Sequence, residues 1–449
     1  MTKSFLPGQL NGFSFTFLLM LSPRELKWLI ENGNLANSEV CKLILFNALK
    51  LVFVQVTNYI FPLVLLPYLV TTLESDSFSK LVVCQAIVQY FVILVTYGFN
   101  FTATRRVSEN RDKKSEVDKI FCNTVNARFV LTGLSFIAVV VYAGVWGGQL
   151  TTLLYICFLR VVAEAVNPSF LFQGIERMNI LVSSSVLAKT VIFILTLYLV
   201  DGPDDLNCAA ILQVMNFLIP SLLCLLFLFK SRIVRSYCFS TNGIIESLKD
   251  GCYVFISSFI SSIYTNSTVI ILAALTSPTV VSNYAAADKL RLAVQNLLIP
   301  ISQAIFPRVT LLISKSTSLK KIIKNYGLYF IVVGLSLSFG ILIFGRDFAQ
   351  LYFGEDFILA SEIFMSMFLL PSIIAPSLVL GYWWIIPKGH SNKLVFCYLF
   401  AAISFAIITY PLVVLFGVYG MVISVTVTEL IVLIGMLFVC FRLKTSEGT

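Results

Sequence analysis

Twelve separate stretches of this chain are each long and apolar enough to cross a lipid bilayer, and this restricts the possible folds more than any short motif does. Hydrocarbon offers no partners to backbone amides, so spanning segments must satisfy their own hydrogen bonds, as helices do. Only 12% of the residues are charged, whereas soluble domains have about 25%. The sequence therefore predicts an all-α, polytopic membrane protein. We place spans 1 to 12 at residues 43–69, 81–103, 129–147, 151–173, 179–200, 208–229, 252–275, 283–307, 326–345, 360–386, 394–416 and 419–441.

The distribution of positive charge between alternate loops predicts the orientation of the chain. Of the 32 lysines and arginines, 25 fall in the terminal segments and loops on one side, and only Lys80 and Arg346 fall in loops on the other. Loops rich in lysine and arginine are retained in the cytoplasm, so both termini are expected there. The net charge of +9 is then explained by topology, and we expect no binding of nucleic acid.

Three segments are expected along the chain. Residues 1–40 are predicted to be an amino-terminal cytoplasmic or interfacial segment, because the apolar run at 10–21 is too short to span. A cleaved signal peptide and an artefactual upstream translation start are the alternatives. Residues 41–240 and 241–449 are expected to form two six-helix halves of the same orientation, which is an arrangement that supports rocking alternating access.

Residue types that catalysis or metal binding would need are scarce. The ten cysteines occur without CxxC or Cys/His spacing, so neither a disulfide framework nor a metal site is predicted. His390 is the only histidine, and the chain contains no GxxxxGK[ST] phosphate loop. We therefore expect a protein that is not an enzyme and that needs no cofactor.

Ionisable residues inside the predicted spans are the main signal for a functional site. A charge at the centre of a spanning helix costs about 2.5–3.5 kcal/mol on insertion scales, so it usually faces a partner or a wet interior. Basic residues outnumber acidic ones within the spans, which suits an anionic ligand. The basic residues are Lys50, Arg160, Lys189, Lys289 and Arg291, and the acidic residues are Glu164, Asp288 and Glu429.

Several of these charges have a structural alternative. Arg160 and Glu164 are four residues apart and could neutralise each other on one helix face. Asp288 and Arg291 are three apart and could do the same. Lys50 lies toward the cytoplasmic end of span 1 and could extend its ammonium group to the membrane surface.

Lys189 and two polar stripes favour a hydrophilic interior. Lys189 is near the middle of span 5, out of easy reach of either interface, so it should face a partner or a wet cavity. Asn47, Lys50 and Asn58 fall on one side of span 1 at the helical period. Contact between helices through small and hydroxyl side chains is the alternative explanation. A similar stripe in span 7 consists of Ser258, Ser261, Ser262 and Thr265, and Asn266 follows it.

Four segments resemble a known family of membrane proteins. NYIFPLVLLPYLVTTLESDSF at 58–78 and YGFNFTATRRVSENR at 97–111 are similar to the opening of the O-antigen and polysaccharide repeat-unit flippases. FQGIERM at 172–178 resembles their segment after the fourth span, and YAAADKLRLAVQNLLIPISQAIFPRV at 284–309 resembles their eighth span. The resemblance covers about residues 38–445.

The resemblance implies a fold, a substrate and a location. The fold would be that of the multidrug/oligosaccharidyl-lipid/polysaccharide exporters, and the substrate an undecaprenyl-diphosphate-linked oligosaccharide that is flipped across a bacterial inner membrane. Membrane lipids, the polysaccharide polymerase and the chain-length machinery would be candidate partners. The family has a cationic central cavity with basic residues on its eighth span, at positions matched by Lys289 and Arg291.

These expectations define the candidate site. A cation-coupled multidrug exporter and a membrane-embedded lipid-modifying enzyme are the alternative functions, and the basic balance of the interior charges counts against the exporter. Candidates for substrate binding are Lys50, Asn58, Arg160, Lys189, Lys289 and Arg291, and candidates for ion coupling are Glu164, Asp288 and Glu429.

Overall fold

The computed structural model describes residues 61–175, 177–234, 238–314, 318–354 and 357–446, and the regular structure in these ranges is helical. Nine helices in these ranges are long and apolar enough to cross a membrane, and a pair of helices bent by 41° forms a tenth candidate. The prediction of an all-α, polytopic membrane protein is therefore confirmed. Lys50 and Asn58 lie outside the described residues.

The helices of spans 1 to 6 follow the predicted order. The described part of span 1 is helical over Phe61–Thr72. Spans 2 and 4 are each formed by two helices, while spans 3, 5 and 6 are formed by one. Their bounds are Glu74–Thr96 and Phe99–Glu109 for span 2, Lys114–Tyr142 for span 3, Thr151–Ala165 and Ser169–Gly174 for span 4, Met178–Leu199 for span 5 and Leu206–Lys230 for span 6.

Spans 7 to 12 are helical as well, and spans 8 and 10 are broken. Neither helix of span 8 is among the ten candidates, since the first contains Asp288, Lys289 and Arg291 and the second has only 17 residues. Span 9 includes a π-helical turn at Ile323–Gly327. The bounds are Thr241–Leu275 for span 7, Pro278–Asn296 and Leu298–Ser314 for span 8, Leu319–Ile322 and Leu328–Phe353 for span 9, Ile358–Ser366 and Leu369–Leu380 for span 10, Ser391–Phe416 for span 11 and Val418–Ser446 for span 12.

Two helices begin well before their predicted spans. Span 3 was expected from residue 129 and its helix begins at Lys114, and span 7 was expected from residue 252 and its helix begins at Thr241. Hydropathy detects only the part of a helix that lies in hydrocarbon, so it misses polar turns that continue beyond the bilayer. One consequence concerns Arg128, which the charge count assigns to a loop. The structure places it within the helix of span 3, with a relative exposure of 0%.

Span 2 is broken where it touches span 7. Tyr97 and Gly98 both have positive φ, at 45° and 77°, and they separate the two helices of the span. A Cβ atom on Gly98 would lie 2.6 Å from the Cβ of Val254, so only glycine fits this approach. The Tyr97 ring stacks on Phe255 with 4.6 Å between centroids. The break therefore lets spans 2 and 7 pack closely at this level.

Spans 1–6 and 7–12 meet at both ends of the molecule. At the end where span 2 terminates, the Arg106 guanidinium forms ion pairs of 2.8 Å with Glu246 and 3.1 Å with Asp250 of span 7. At the opposite end, the Tyr352 hydroxyl donates a hydrogen bond to the carbonyl of Leu63. One hydrophobic core contains residues of both sets of spans. A cavity between the two sets of spans thus has a contact between these sets toward each end of the molecule.

Candidate functional site

A cavity of about 440 Å³ lies between the two sets of spans. This volume is within the range of about 300–1,000 Å³ that is typical of ligand pockets. Spans 1, 5 and 6 form one side, and span 8 forms the other. The lining residues are Phe61, Pro62, Leu63, Leu65, Leu66, Leu69, Lys189, Phe193, Gln213, Asn216, Phe217, Lys289, Leu292, Ala293 and Asn296.

Two lysines from opposite sides line this cavity. Lys189 comes from span 5 and Lys289 from span 8, and both are half-buried. Among the described lining residues there is no carboxylate. Two ammonium groups around one low-dielectric cavity repel each other and attract an anion. The cavity is therefore electrostatically suited to a negatively charged ligand.

The position of Lys289 is set by an aromatic ring of span 2. Its Nζ atom lies 5.2 Å from the centroid of the fully buried Phe78 ring, within the cation–π range of about 6 Å. The ring face stabilises the ammonium group without neutralising its charge. The Phe78 ring therefore provides Lys289 with a favourable neighbour that carries no opposing charge.

The remainder of the lining is apolar with a few amides. Phe61 and Phe193 pack edge to face, with 5.6 Å between ring centroids. The side chain of Gln213 accepts a hydrogen bond of 2.6 Å from Gln85 of span 2, which fixes its orientation. Aromatic faces and oriented amides are the usual partners of sugar rings and hydroxyl groups. The lining thus combines charged, hydrogen-bonding and apolar surfaces.

Arg160 contacts the cavity indirectly, through an aromatic residue. Its guanidinium carbon lies 3.4 Å from the ring centroid of Phe217, which lines the cavity. The alternative of a close pair with Glu164 is not seen, since no ion pair within 4 Å joins these two described residues. Glu164 interacts electrostatically with both Arg160 and Arg128. Arg160 therefore supplies positive charge behind the Phe217 ring.

Arg291 belongs to a second cluster and is not among the cavity-lining residues. Its guanidinium pairs with the Asp288 carboxylate at 2.7 Å and donates to the Gln295 side chain at 2.5 Å. This is the pairing that the spacing of residues 288 and 291 allows. Glu429 of span 12 interacts electrostatically with Arg291 and with Tyr264. The cluster thus joins spans 7, 8 and 12.

Arg128 is a buried charge that was not predicted from the sequence. The side chain donates to the carbonyls of Glu164 at 3.0 Å and Asn167 at 2.7 Å, and to the Asn100 side chain at 2.9 Å. Its guanidinium also lies 5.2 Å from the ring centroid of Phe170. Arg128 directly precedes an apolar run in the sequence. If the helix of span 3 is taken to extend beyond the bilayer, this position falls inside the helix, as the structure shows.

Two of the segments that carried the family resemblance pack against each other. The Thr104 hydroxyl, from segment 97–111, donates to the carbonyl of Phe170 at 3.2 Å. A Cβ atom on Gly174, from segment 172–178, would lie 2.6 Å from a side-chain carbon of Val107. Both segments therefore serve the packing of spans 2, 3 and 4, away from the cavity.

The predicted site residues thus divide into three groups. Lys189 and Lys289 share the cavity, and Arg160 lies behind one of its rings. Arg291, Asp288 and Glu429 form the separate cluster described above, while Glu164 lies near the two arginines of spans 3 and 4. The assignment of binding and coupling roles to these residues remains a prediction.

Comparison with known proteins supports the resemblance found in the sequence. Residues 44–313 match the family model of the polysaccharide biosynthesis proteins. A Shigella dysenteriae protein described as a "Putative O-antigen transporter" is 33% identical over 392 residues, which are 87% of this chain and 98% of that protein. An Escherichia coli K12 protein with the same description is 30% identical over 400 residues, covering 86% of this chain and 94% of that protein.

Solved structures show the same fold at low sequence identity. The lipid II flippase MurJ, in an inward closed conformation, aligns with a TM-score of 0.69 at 13% identity and covers 88% of this chain and 87% of its own. An inward-facing MATE multidrug transporter of the MOP superfamily aligns with a TM-score of 0.64 at 13% identity, covering 87% and 99%. A MOP transporter from Pyrococcus furiosus aligns with a TM-score of 0.65 at 13% identity, covering 98% and 100%. The predicted exporter fold is therefore confirmed.

Proposed function

Because the chain belongs to the polysaccharide biosynthesis protein family, and the two relatives compared above are described as transporters and not as enzymes, we propose that it flips a lipid-linked oligosaccharide. The substrate is an undecaprenyl-diphosphate-linked O-antigen repeat unit. It moves from the cytoplasmic to the periplasmic leaflet of a bacterial inner membrane, and both termini of the chain are cytoplasmic. The observation that carries the proposal is a cavity between the two sets of spans with a lysine on either side.

The physical problem in this reaction is to carry a diphosphate and sugar hydroxyls across hydrocarbon. A charge in that environment costs at least about 2.5–3.5 kcal/mol, and each hydroxyl that loses its water partners adds to this cost. Lys189 and Lys289 offset the charge of the diphosphate, because they line the same cavity without a carboxylate among the described lining residues. The transition is thereby made without exposing the anion to lipid.

The remaining parts of the substrate meet other parts of the lining. The amides of Gln213, Asn216 and Asn296 face the sugar hydroxyls, and the ring of Phe193 packs against a sugar face. The prenyl chain needs no polar partner and stays in the lipid. This division of contacts agrees with a lining in which apolar side chains outnumber polar ones.

The position of the lysines on opposite sides of the cavity supports an alternating-access mechanism. Lys189 moves with spans 1–6 and Lys289 with spans 7–12, so rocking of one set against the other changes the separation of the two charges. The contacts of Arg106 and of Tyr352 close opposite ends. Opening one contact at a time exposes the cavity to one leaflet at a time.

The decisive experiment replaces each cavity lysine in a cell that depends on this protein for its O-antigen. The Lys189→Ala and Lys289→Ala variants are expected to lose the lipopolysaccharide ladder and to accumulate the lipid-linked repeat unit, at unchanged protein abundance. Lys80→Ala is the matched control, because Lys80 pairs with Asp76 at 2.6 Å outside the cavity and its removal should leave the ladder intact. Normal ladders in both cavity variants would refute the proposal.

Energy coupling is a separate part of the proposal. Glu429 is the candidate for a coupling carboxylate, because Asp288 is held by Arg291 at 2.7 Å, whereas no ion pair within 4 Å joins Glu429 to a described residue. Glu429→Gln should slow transport under an imposed proton or sodium gradient and leave transport down a substrate gradient unchanged. Equal rates for variant and parent under both conditions would show that Glu429 does not couple.

The multidrug exporter is the weaker alternative for this cavity. Its cationic substrates would meet two lysines and no carboxylate among the described lining residues. Deletion of the gene should therefore leave sensitivity to cationic drugs unchanged. A rise in that sensitivity together with an intact ladder would favour the exporter over the flippase.

A further inference from the structure

A second cavity, of about 380 Å³, opens on the lipid-facing surface between spans 11 and 12. Its mouth has a basic side chain on each helix, Lys393 on span 11 and Arg442 on span 12. The rest of the lining is Phe396, Cys397, Phe400, Ile431, Gly435, Phe438 and Val439. We call this surface the span 11–12 groove, and we propose that it binds an anionic phospholipid of the bilayer, with the phosphate between Lys393 and Arg442 and one acyl chain along the groove.

The depth of the two basic residues follows from the hairpin that joins the spans. The turn is at Gly417, Lys393 precedes it by 24 residues and Arg442 follows it by 25. At a rise of about 1.5 Å per residue, both lie roughly 36–38 Å from the turn along nearly antiparallel helices. Because a hydrocarbon core is about 30 Å thick, both cations reach headgroup level on the same side.

The apolar part of the groove lies at acyl-chain depth. Phe400 and Ile431 mark its deep end, roughly 21–26 Å from the turn by the same helical rise. Phe396, Phe400 and Phe438 are exposed by 71%, 64% and 58%, so they face the lipid rather than the protein interior. A groove that is basic at headgroup depth and apolar beneath it matches the two parts of one phospholipid molecule.

A glycine makes this groove possible. A Cβ atom at Gly435 would lie 3.1 Å from Cys397 Sγ and 3.4 Å from its Cβ, which is closer than most such contacts. The missing side chain therefore lets spans 11 and 12 approach each other at that level. Phe396 and Phe400 of span 11 and Phe438 of span 12 line the sides of the groove. A lipid chain can lie against the floor formed by this close approach.

An aromatic contact holds one of the two basic side chains at the mouth against the groove. The Arg442 guanidinium lies 4.7 Å from the ring centroid of Phe438, one of the groove walls. Lys393 forms no ion pair within 4 Å with a described carboxylate. Basic pockets between helices on the cytoplasmic side are the usual sites for anionic headgroups, and this is the side on which the charge distribution places both residues.

A second surface groove in the same protein shows what the basic pair adds. It lies between spans 3 and 4, has a volume of about 460 Å³ and is lined by Thr132, Gly133, Phe136, Tyr155, Phe158, Leu159 and Val162. It is similarly apolar, but no basic side chain is among its described lining residues. We therefore expect it to hold acyl chains of any lipid, and selectivity for anionic lipid to be confined to the span 11–12 groove.

The test is native mass spectrometry of the full-length protein in detergent, titrated with dioleoyl phosphatidylglycerol or dioleoyl phosphatidylcholine. The parent protein should bind one phosphatidylglycerol more tightly than any phosphatidylcholine. The Lys393→Gln/Arg442→Gln variant should bind that molecule roughly 25-fold more weakly, since each basic side chain near the surface contributes about fivefold. The charge-conserving Lys393→Arg/Arg442→Lys variant should keep most of the affinity.

Controls separate the groove from general basicity and from the transported lipid. Lys320→Gln/Lys321→Gln removes two exposed lysines elsewhere on the same side and should leave the tight phosphatidylglycerol adduct unchanged. Three results would overturn the proposal. The first is a phosphatidylglycerol affinity of the Lys393→Gln/Arg442→Gln variant equal to that of the parent, and the second is equal binding of the two phospholipids by the parent. The third is displacement of bound phosphatidylglycerol by undecaprenyl phosphate at a concentration lower than that of the phosphatidylglycerol. The last result would make the groove a site for the substrate lipid.

Discussion

Replacing Arg128 by methionine should destabilise the packing of spans 2, 3 and 4. The change leaves a shorter, unbranched and uncharged side chain and removes three hydrogen bonds, to two carbonyls and to Asn100. Glu164 and Asn167 lie at the carboxyl end of the first helix of span 4, where carbonyls have no helical partner and a cation is favoured. With Arg128 fully buried, water cannot replace the lost donors.

The expected loss follows from the number of bonds. A hydrogen bond inside a membrane protein contributes about 0.6–1.7 kcal/mol, so three bonds amount to roughly 2–5 kcal/mol of unfolding free energy. Removing the desolvated guanidinium makes the loss of unfolding free energy smaller. Leaving the carbonyls without donors makes it larger again. Unfolding by sodium dodecyl sulfate in mixed micelles measures the difference in unfolding free energy between the Arg128→Met variant and the parent protein.

The matched control is Arg105→Met in the neighbouring segment. Arg105 is 71% exposed and lies 3.6 Å from Glu109, so its removal should cost less than about 1 kcal/mol. A second check is Asn100→Ala, which should destabilise the parent protein and have no added effect in the Arg128→Met variant. An Arg128→Met protein that unfolds at the same detergent fraction as the parent would refute the assignment.

Three further predictions concern the contacts between spans. Arg106→Ala should weaken the closed end by about 1 kcal/mol or less, seen as a modest rise in the alkylation rate of a cysteine placed at that end, and an unchanged rate would contradict it. Gly251→Ala puts a Cβ atom 2.6 Å from the Tyr97 carbonyl and should raise that rate more strongly. Trp383→Phe removes a 2.9 Å hydrogen bond to Ser302 and should cost about 1 kcal/mol or more of thermal stability. Ser302→Ala should add nothing in that variant, and an additive loss would argue against the bond.

The helical nature of the spans could be predicted because it depends on each segment alone. An apolar run in hydrocarbon must bond its own backbone, whatever its neighbours are. The limits of the helices were less predictable, as Lys114 and Thr241 show, because polar turns outside the bilayer leave no trace in hydropathy. The break at Tyr97 and Gly98 depends on the approach of Val254, and that contact joins residues far apart in sequence.

The candidate site was predictable as a set of charges and not as an arrangement. The spacing of residues 288 and 291 was sufficient to suggest their ion pair, since it depends on one helix turn. The same spacing gives no ion pair within 4 Å between the described residues Arg160 and Glu164, which interact electrostatically at longer range, and the Arg160 guanidinium lies over the Phe217 ring of span 6. Helix spacing alone cannot show which neighbouring helix competes for a side chain.

From its sequence alone this chain is determined to be a helical, multi-pass membrane protein of a transporter family, with more basic than acidic residues in its spans. Only the tertiary structure decided that Lys189 and Lys289 share one cavity, that Arg291 pairs away from it, and that Arg128 is enclosed between spans. The reason is that insertion into a bilayer is a property of each segment, whereas the partner of a buried charge depends on how each helix is rotated and which helix packs against it.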